Sequence, residues 1–289
     1  MKSMLVVVCG LALSASAHAD IAVLNGNLTP GNLGGSLNFN YNGGIITVSV
    51  WDFSPTAVGD QGVGLDTLLR LTRPDAFTID DDDSHVGALS ALAGTDPTFG
   101  AWNAAVTGFG DGDFDGSGHI ENGAFRLVVT SSPSALELVA ANNNAAGAQA
   151  LIFTGGAARS DGELAFPVGD VDWYAFTAVA GDLITGEVFA SGGFDSTLGL
   201  FGPDGTSLLA SDDDDYVGLS SALYIIAPFT GTYYFAVSSF SDFTFDGADG
   251  GDAGAYSLVV SGGSTIPAPG AAAILGLAGL AAARRRRTR

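Results

Sequence analysis

Apolar and polar residues alternate in short runs along most of the chain, and spacing by three or four is scarce. Residues 232–237 (Thr-Tyr-Tyr-Phe-Ala-Val) and 255–260 (Ala-Tyr-Ser-Leu-Val-Val) are rich in aromatic and β-branched side chains, which suit a pleated, half-buried surface. Leu198 and Leu200 alternate with smaller neighbours ahead of a Pro203-Asp204-Gly205 turn. Helical periodicity is confined to the two ends and a weak stretch near residues 135–150. Many short strands punctuated by Gly and Asp turns predict an all-β chain, a β-sandwich or jelly roll.

The pattern recurs. Residues 101–130 laid over 232–261 without a gap agree at 12 of 30 positions, among them Val106/Val237, Phe109/Phe240 and Asp115/Asp246. Upstream, Leu65-Asp66-Thr67-Leu68 faces Phe194-Asp195-Ser196-Thr197, and Pro-Asp follows each at the same spacing. Both copies then reach a run of four aspartates, Asp80 to Asp83 and Asp212 to Asp215. A unit of about 110 to 130 residues is too long for a solenoid repeat and right for a globular domain. The predicted organisation is two tandem β-sandwich, jelly-roll-like domains over residues 20–131 and 149–262, joined by a connector at 132–148.

The ends read as sorting segments. Lys2, an apolar run over residues 4–13 and Ala17-His18-Ala19 follow the order of a secretory signal peptide, with cleavage expected after Ala19. Cys9 lies within that run, so the mature chain holds no cysteine, which excludes disulfides, thiolate metal sites and cysteine nucleophiles. Residues 263–289 form a linker and tail: Ile266-Pro267-Ala268-Pro269-Gly270, an uncharged stretch from Ala271 to Ala283, then Arg284 to Arg287 and Arg289. As a helix that stretch spans about 20 Å, or about 27 Å counted from Ile266, against a hydrocarbon core of about 30 Å. Terminal arginines favour retention on the cytoplasmic side. The tail resembles the PEP-CTERM class of sorting signals, with Ala268 where that class usually has Glu in its motif. The resemblance implies an exosortase-like sorting enzyme as partner beside the secretion machinery, cleavage near Pro267-Ala268-Pro269, and transient membrane anchoring through a short transmembrane helix.

Charge narrows the partners. Between the two ends, four arginines (Arg70, Arg73, Arg126, Arg159) are set against all 31 carboxylates, leaving −27 there and −21 over the whole chain. Such a surface repels nucleic acid and anionic lipid and attracts cations. Nearly all the acids are Asp in Gly-rich turns. They suit turns bonded to their own backbone, calcium sites, or a surface adapted to a saline habitat, and composition does not choose among these.

The second copy carries Gly169-Asp170-Val171-Asp172-Trp173-Tyr174-Ala175-Phe176, Ala180-Gly181-Asp182, Phe194-Asp195-Ser196-Thr197-Leu198, the Asp212 run, Gly231-Thr232-Tyr233-Tyr234 and Tyr256-Ser257-Leu258-Val259-Val260. In that order these motifs resemble the bacterial pre-peptidase C-terminal domain over roughly residues 149–261. The resemblance implies a non-catalytic β-sandwich appended to secreted proteins, some members of which bind calcium or extracellular polymers. The first copy has no Asp-x-Asp-Trp-Tyr opening, and residues 51–64 read as an insertion.

Candidate chemistry is carboxylate chemistry. Asp111, Asp113 and Asp115 alternate ahead of Gly116, as at the start of a calcium loop, with Glu121 one place early for the usual bidentate ligand. The second copy keeps Asp242, Asp246 and Gly247 but has Thr244 between them. Asp80, Asp82, Asp212 and Asp214 in the four-Asp runs are a second candidate metal set, weighed against a solvated turn. Asp66 and Asp195 recur in register and could serve strand-end backbone. A Ser-His-Asp site would need His85 or His119, and no Gly-x-Ser-x-Gly elbow exists to host it. Trp51, Trp102 and Trp173 could stack on sugars, but Trp102 aligns with Tyr233 in a strand, where core packing is the ordinary role.

The sequence therefore points to a non-catalytic exported protein of the cell surface, outer membrane or extracellular matrix, in contact with extracellular polysaccharide or a matrix protein and stiffened by Ca2+. A secreted carbohydrate-active or other hydrolase using Asp carboxylates, and a self-assembling structural surface protein, are the alternatives.

Overall fold

A computed structural model describes residues 20–53, 64–131, 142–165 and 170–266. The expected signal peptide, its Ala19 cleavage site, Pro267-Ala268-Pro269 and the apolar stretch from Ala271 lie outside these residues. Among the described residues no helix is long and apolar enough to cross a membrane.

The fold is all-β. Among the described residues, eight strands precede the connector: β1 (Asp20–Leu28), β2 (Gly35–Tyr41), β3 (Ile45–Asp52), β4 (Thr67–Thr72), β5 (Thr78–Asp81), β6 (Ala91–Thr95), β7 (Gly100–Gly108) and β8 (Gly123–Ser131). Nine follow it: β9 (Gln149–Ala150), β10 (Ala157–Leu164), β11 (Asp172–Ala178), β12 (Leu183–Phe189), β13 (Ser196–Phe201), β14 (Leu208–Asp212), β15 (Ala222–Ile226), β16 (Gly231–Ser239) and β17 (Gly254–Ser261). Of the weakly helical stretch, the described part holds one 3-10 turn, Ala145–Gly147, which Asn144 caps by accepting from the Ala146 and Gly147 amides.

The first eight strands form two sheets in the orders β1-β8-β3-β6 and β2-β7-β4-β5. The second group forms β10-β17-β12-β15 and β14-β13-β16-β11-β9, antiparallel except for the β9–β11 pair. Strand for strand the two groups have the same order, and β9 is the one addition. Register shows the equivalence residue by residue. β8 and β17, like β7 and β16, superpose at an offset of 131, so that Leu37, opposite Ala104, corresponds to Tyr174, opposite Phe235.

Each group encloses its own core between its two sheets. The first is filled by Leu28, Tyr41, Val48, Val50, Leu69, Trp102, Val106, Phe125 and Leu127. The second is filled by Tyr174, Phe176, Val188, Leu198, Tyr233, Phe235 and Leu258, so Trp102 and Tyr233 are core residues as their alignment suggested. Phe125 and Tyr256 each lie over a glycine of the neighbouring strand, Gly26 and Gly162. At Gly162 a Cβ would come 2.5 Å from the Tyr256 ring, so only glycine fits beneath it.

A third apolar cluster joins the groups. Trp51, Val86, Ala91 and Val128 pack with Ala157, Tyr216, Ala222 and Val259. Ala91/Ala222 and Val128/Val259 are equivalent positions, so each unit offers the other the same patch, as in an isologous dimer contact. This explains β3 (Ile-Ile-Thr-Val-Ser-Val-Trp-Asp) and β12, which are buried almost throughout because both faces of their sheets are covered. It also corrects the insertion expected from residue 51. Trp51 and Asp52 belong to β3, with Trp51 buried against the other unit, and the first unit has a full opening strand in β2 despite lacking the Asp-x-Asp-Trp-Tyr motif.

Candidate functional site

The aspartate loops after β7 and β16 are built alike. Asp111 is buried, and its carboxylate accepts from Thr107 Oγ1 at 2.7 Å, the Gly116 amide at 2.8 Å and the Asp115 amide at 3.3 Å. Asp242 accepts from Ser238 Oγ at 2.8 Å, the Gly247 amide at 2.9 Å and the Asp246 amide at 3.3 Å, with Thr244 Oγ1 added. Phe114 and Phe245 take up left-handed backbone at the same point of each loop, which those bonds hold in place.

Of the residues expected around calcium, Asp111 and Asp115 thus share one hydrogen-bonded loop. Asp115 accepts from the Ser117 amide, and the Ser117 side chain first and then that amide hold its carboxyl below the usual range, while Asp113 is exposed. Glu121 sits elsewhere, accepting from the Asp66 amide. Among the described residues no group of three or more His, Cys, Asp or Glu side chains is placed to hold a metal ion.

The four-Asp runs are not equivalent position for position. Asp81, not Asp80, matches Asp212: each accepts from the amide of the first residue of the next long strand, Ala91 or Ala222, at 2.8 Å, and from an amide three residues on. Asp80 instead pairs with Arg70 at 2.6 Å. Burial pushes the Asp212 carboxyl up to about 7 against the pull of its two amide donors, and the neighbouring Asp215 charge adds to the rise.

Carboxylates do gather at the strand ends. Asp66 is raised by burial and then by Asp83, Glu121 and Asp82. Asp195 is raised by burial and then by Asp214, Asp213 and Asp252. In both, Oδ1 is shielded from solvent without a hydrogen-bond partner, while the backbone carbonyl accepts from the Phe109 or Phe240 amide at 2.9 Å.

The Asp-x-Asp-Trp-Tyr motif also has a packing role. Asp172 Oδ2 accepts from Tyr256 Oη at 2.6 Å, and Tyr256 Oη lies 2.6 Å from Tyr174 Oη, a polar trio inside the second core. The equivalent residues of the first unit are Gly35, Leu37 and Phe125, all apolar, so that unit has no use for the motif. Trp173 faces the outside of its sheet and packs on Phe201, ring centroids 4.5 Å apart.

His85 and His119 are both buried. His119 Nε2 lies 3.1 Å from the Asn32 carbonyl. His85 stands at the junction of the units, edge-on to Trp51 and to Tyr216, the residue equivalent to itself. Its Nε2 is 3.6 Å from Glu187 Oε2 of the other unit. This group of four escaped the sequence reading. Its one outward sign is Glu187 in an otherwise uncharged strand.

Residues 170–239 match the bacterial pre-peptidase C-terminal domain family. The matched segment opens at Asp170 and closes at the end of β16. The solved structures to which the chain is similar include three bacterial proteins. One is PliG of Aeromonas hydrophila, a periplasmic inhibitor of g-type lysozyme, at 20% identity over 44% of this chain and 93% of that one, TM-score 0.29. Another is the pre-peptidase C-terminal domain of a Bacillus anthracis collagenase, at 20% identity over 36% and 87%, TM-score 0.28. The third is Salmonella Typhimurium PliG, at 23% identity over 38% and 94%, TM-score 0.27. No curated protein matches the chain in sequence.

Proposed function

We propose that the chain is a non-catalytic exported protein, two jelly rolls arisen by duplication and locked into one body that is presented at the cell surface or in an exopolysaccharide matrix. One observation carries this reading. The carboxylates that could have done chemistry at the loop tips, Asp111 and Asp242, are buried and committed to loop backbone in the same way in both units. A hydrolytic pair needs carboxyl groups that can reach substrate and exchange a proton or a covalent bond with it. The pre-peptidase family match over residues 170–239 supports the same reading.

In this account the leader is removed after Ala19 and the tail from Pro267 onward is the sorting segment, read by an exosortase-like enzyme. Mass spectrometry of the chain recovered from the extracytoplasmic fraction of its producing cells tests export. The expected product begins at Asp20 and lacks Arg289. An intact chain retained in the cytoplasm would overturn the proposal.

A further inference from the structure

Of the four arginines among the described residues, three are paired with carboxylates: Arg70 with Asp80, Arg73 with Asp75 and Asp96, and Arg159 with Asp161. Arg126 makes no ion pair among the described residues, although it is only 9% exposed. Its surroundings are best understood beside those of Arg159, because the two cross the junction in opposite directions and land on equivalent acceptors.

Arg159, from the second unit, donates from Nη1 to the Ile45 carbonyl at 3.1 Å and to Thr130 Oγ1 at 2.9 Å. Arg126, from the first, donates from Nη1 to the Leu183 carbonyl at 3.3 Å and to Ser261 Oγ at 3.1 Å. Ile45 corresponds to Leu183, and Thr130 to Ser261. The Nε donors match as well: Arg159 to Asp161 Oδ1 at 2.9 Å, Arg126 to Asn25 Oδ1 at 3.3 Å, and Asn25 is the counterpart of Asp161. Two differences remain in an otherwise common pattern. An amide stands where the other site has a carboxylate. Arg159 Nη2 donates to Ser257 Oγ at 2.8 Å, whereas no described residue accepts from Arg126 Nη2.

The space beside this guanidinium is a pocket of about 340 Å³ between the units, lined by Asn25, Phe53 and Arg126 on one side and Gly155, Gly181 and Asp182 on the other. The Phe53 ring lies 4.7 Å from Arg126 Cζ. Gly262 closes the floor with left-handed backbone, and a Cβ there would collide with the Leu183 carbonyl that Arg126 uses. Burial makes Arg126 a weaker base, and Asp182 opposes that only in part. A largely desolvated cation with no direct ion pair, its nearest carboxylate Asp182 offsetting burial only in part, favours an anion. Asp182 and the net charge of −21 limit that anion to a single negative charge.

We propose that this pocket binds a carboxylate monoanion of monosaccharide size, its carboxylate accepting from Arg126 Nη2 and supplying the charge that Asp161 supplies to Arg159. The volume is at the small end for ligand sites, about 300 to 1,000 Å³, which sets the size of the occupant.

Calorimetric titration of the full chain with glucuronate, glucose and sulfate at constant ionic strength is the test. Glucuronate is expected to bind, and glucose and sulfate at least about tenfold more weakly, the neutral sugar lacking the charge and the dianion meeting Asp182. Asn25→Asp puts the missing carboxylate back on the protein. It is expected to fold with an unchanged or raised Tm and to lose at least about tenfold in glucuronate affinity. Equal affinity in Asn25→Asp and wild type, glucose or sulfate binding as tightly as glucuronate, or no glucuronate binding up to about 50 mM would each overturn the proposal.

Discussion

Asp111 and Asp242 stand 131 positions apart in the chain and hold equivalent loops by equivalent bonds, each accepting from a hydroxyl four residues back and from amides four and five residues on. Removing either carboxylate leaves buried amides without an acceptor. Asp111→Ala and Asp242→Ala are therefore each expected to cost about 2 to 4 kcal/mol, whereas exposed Asp113→Ala stays within about 0.5 kcal/mol. Urea unfolding of the three variants checks this ordering. A loss at Asp113 equal to that at Asp111 would show that the loop depends on its exposed carboxylates.

Acidity should stabilise the chain down to about pH 4. Asp66, Asp195, Asp212 and Asp213 are all raised above 3.8 when folded. A carboxyl raised by folding contributes stability that is fully present below the unfolded value and is lost as pH rises through the folded one. For Asp212 that window runs from 3.8 to about 7. Asp75, Asp96, Asp115 and Asp204 are lowered, so their contribution disappears as pH falls below the usual carboxylate range. Thermal melts should show a higher Tm near pH 5 than at pH 8, and Asp212→Asn should flatten the slope between them.

Much of this was legible in the sequence. Thr232–Val237 and residues 255–260 are strands, and the gapless match of 101–130 to 232–261 follows the register of β7, β8, β16 and β17. What alternation cannot tell is who covers a face. The near-continuous burial of β3 comes from the other unit, so Trp51 looked like the start of an insertion. The four-Asp runs misled in another way, since identical letters hid a one-residue shift that hydrogen bonding to Ala91 and Ala222 makes plain. Arg126 interrupts the apolar run Phe125 to Val129, but only folding brings Asn25 and Leu183 to it.

The Asp172–Tyr174–Tyr256 trio offers a transplant test. Tyr256→Phe alone is expected to cost about 1 to 3 kcal/mol, because it strips a buried carboxylate of a donor. Combining it with Asp172→Gly and Tyr174→Leu recreates the first unit's apolar set, and the triple variant is expected to lose less than the sum of its single changes. Strict additivity in chemical denaturation would mean that the three side chains do not act as one network.

His85 and Glu187 face each other across the junction with no hydrogen-bond partner for either side chain among the described residues. Replacing both with apolar groups removes two desolvated polar side chains together. His85→Leu with Glu187→Met should match or exceed the parent in stability and exceed His85→Leu alone, which strands the buried carboxylate. A double-mutant cycle by urea unfolding gives the coupling, and a value near zero would show that the pair is not interacting.

The functional reading is tested most directly by turnover. The secreted chain is incubated with a panel of extracellular polysaccharides, and new reducing ends are counted against buffer. The account predicts none above background for wild type, Asp111→Asn and Asp242→Asn alike. Saturable release of reducing ends by the wild type, abolished by either substitution, would contradict it.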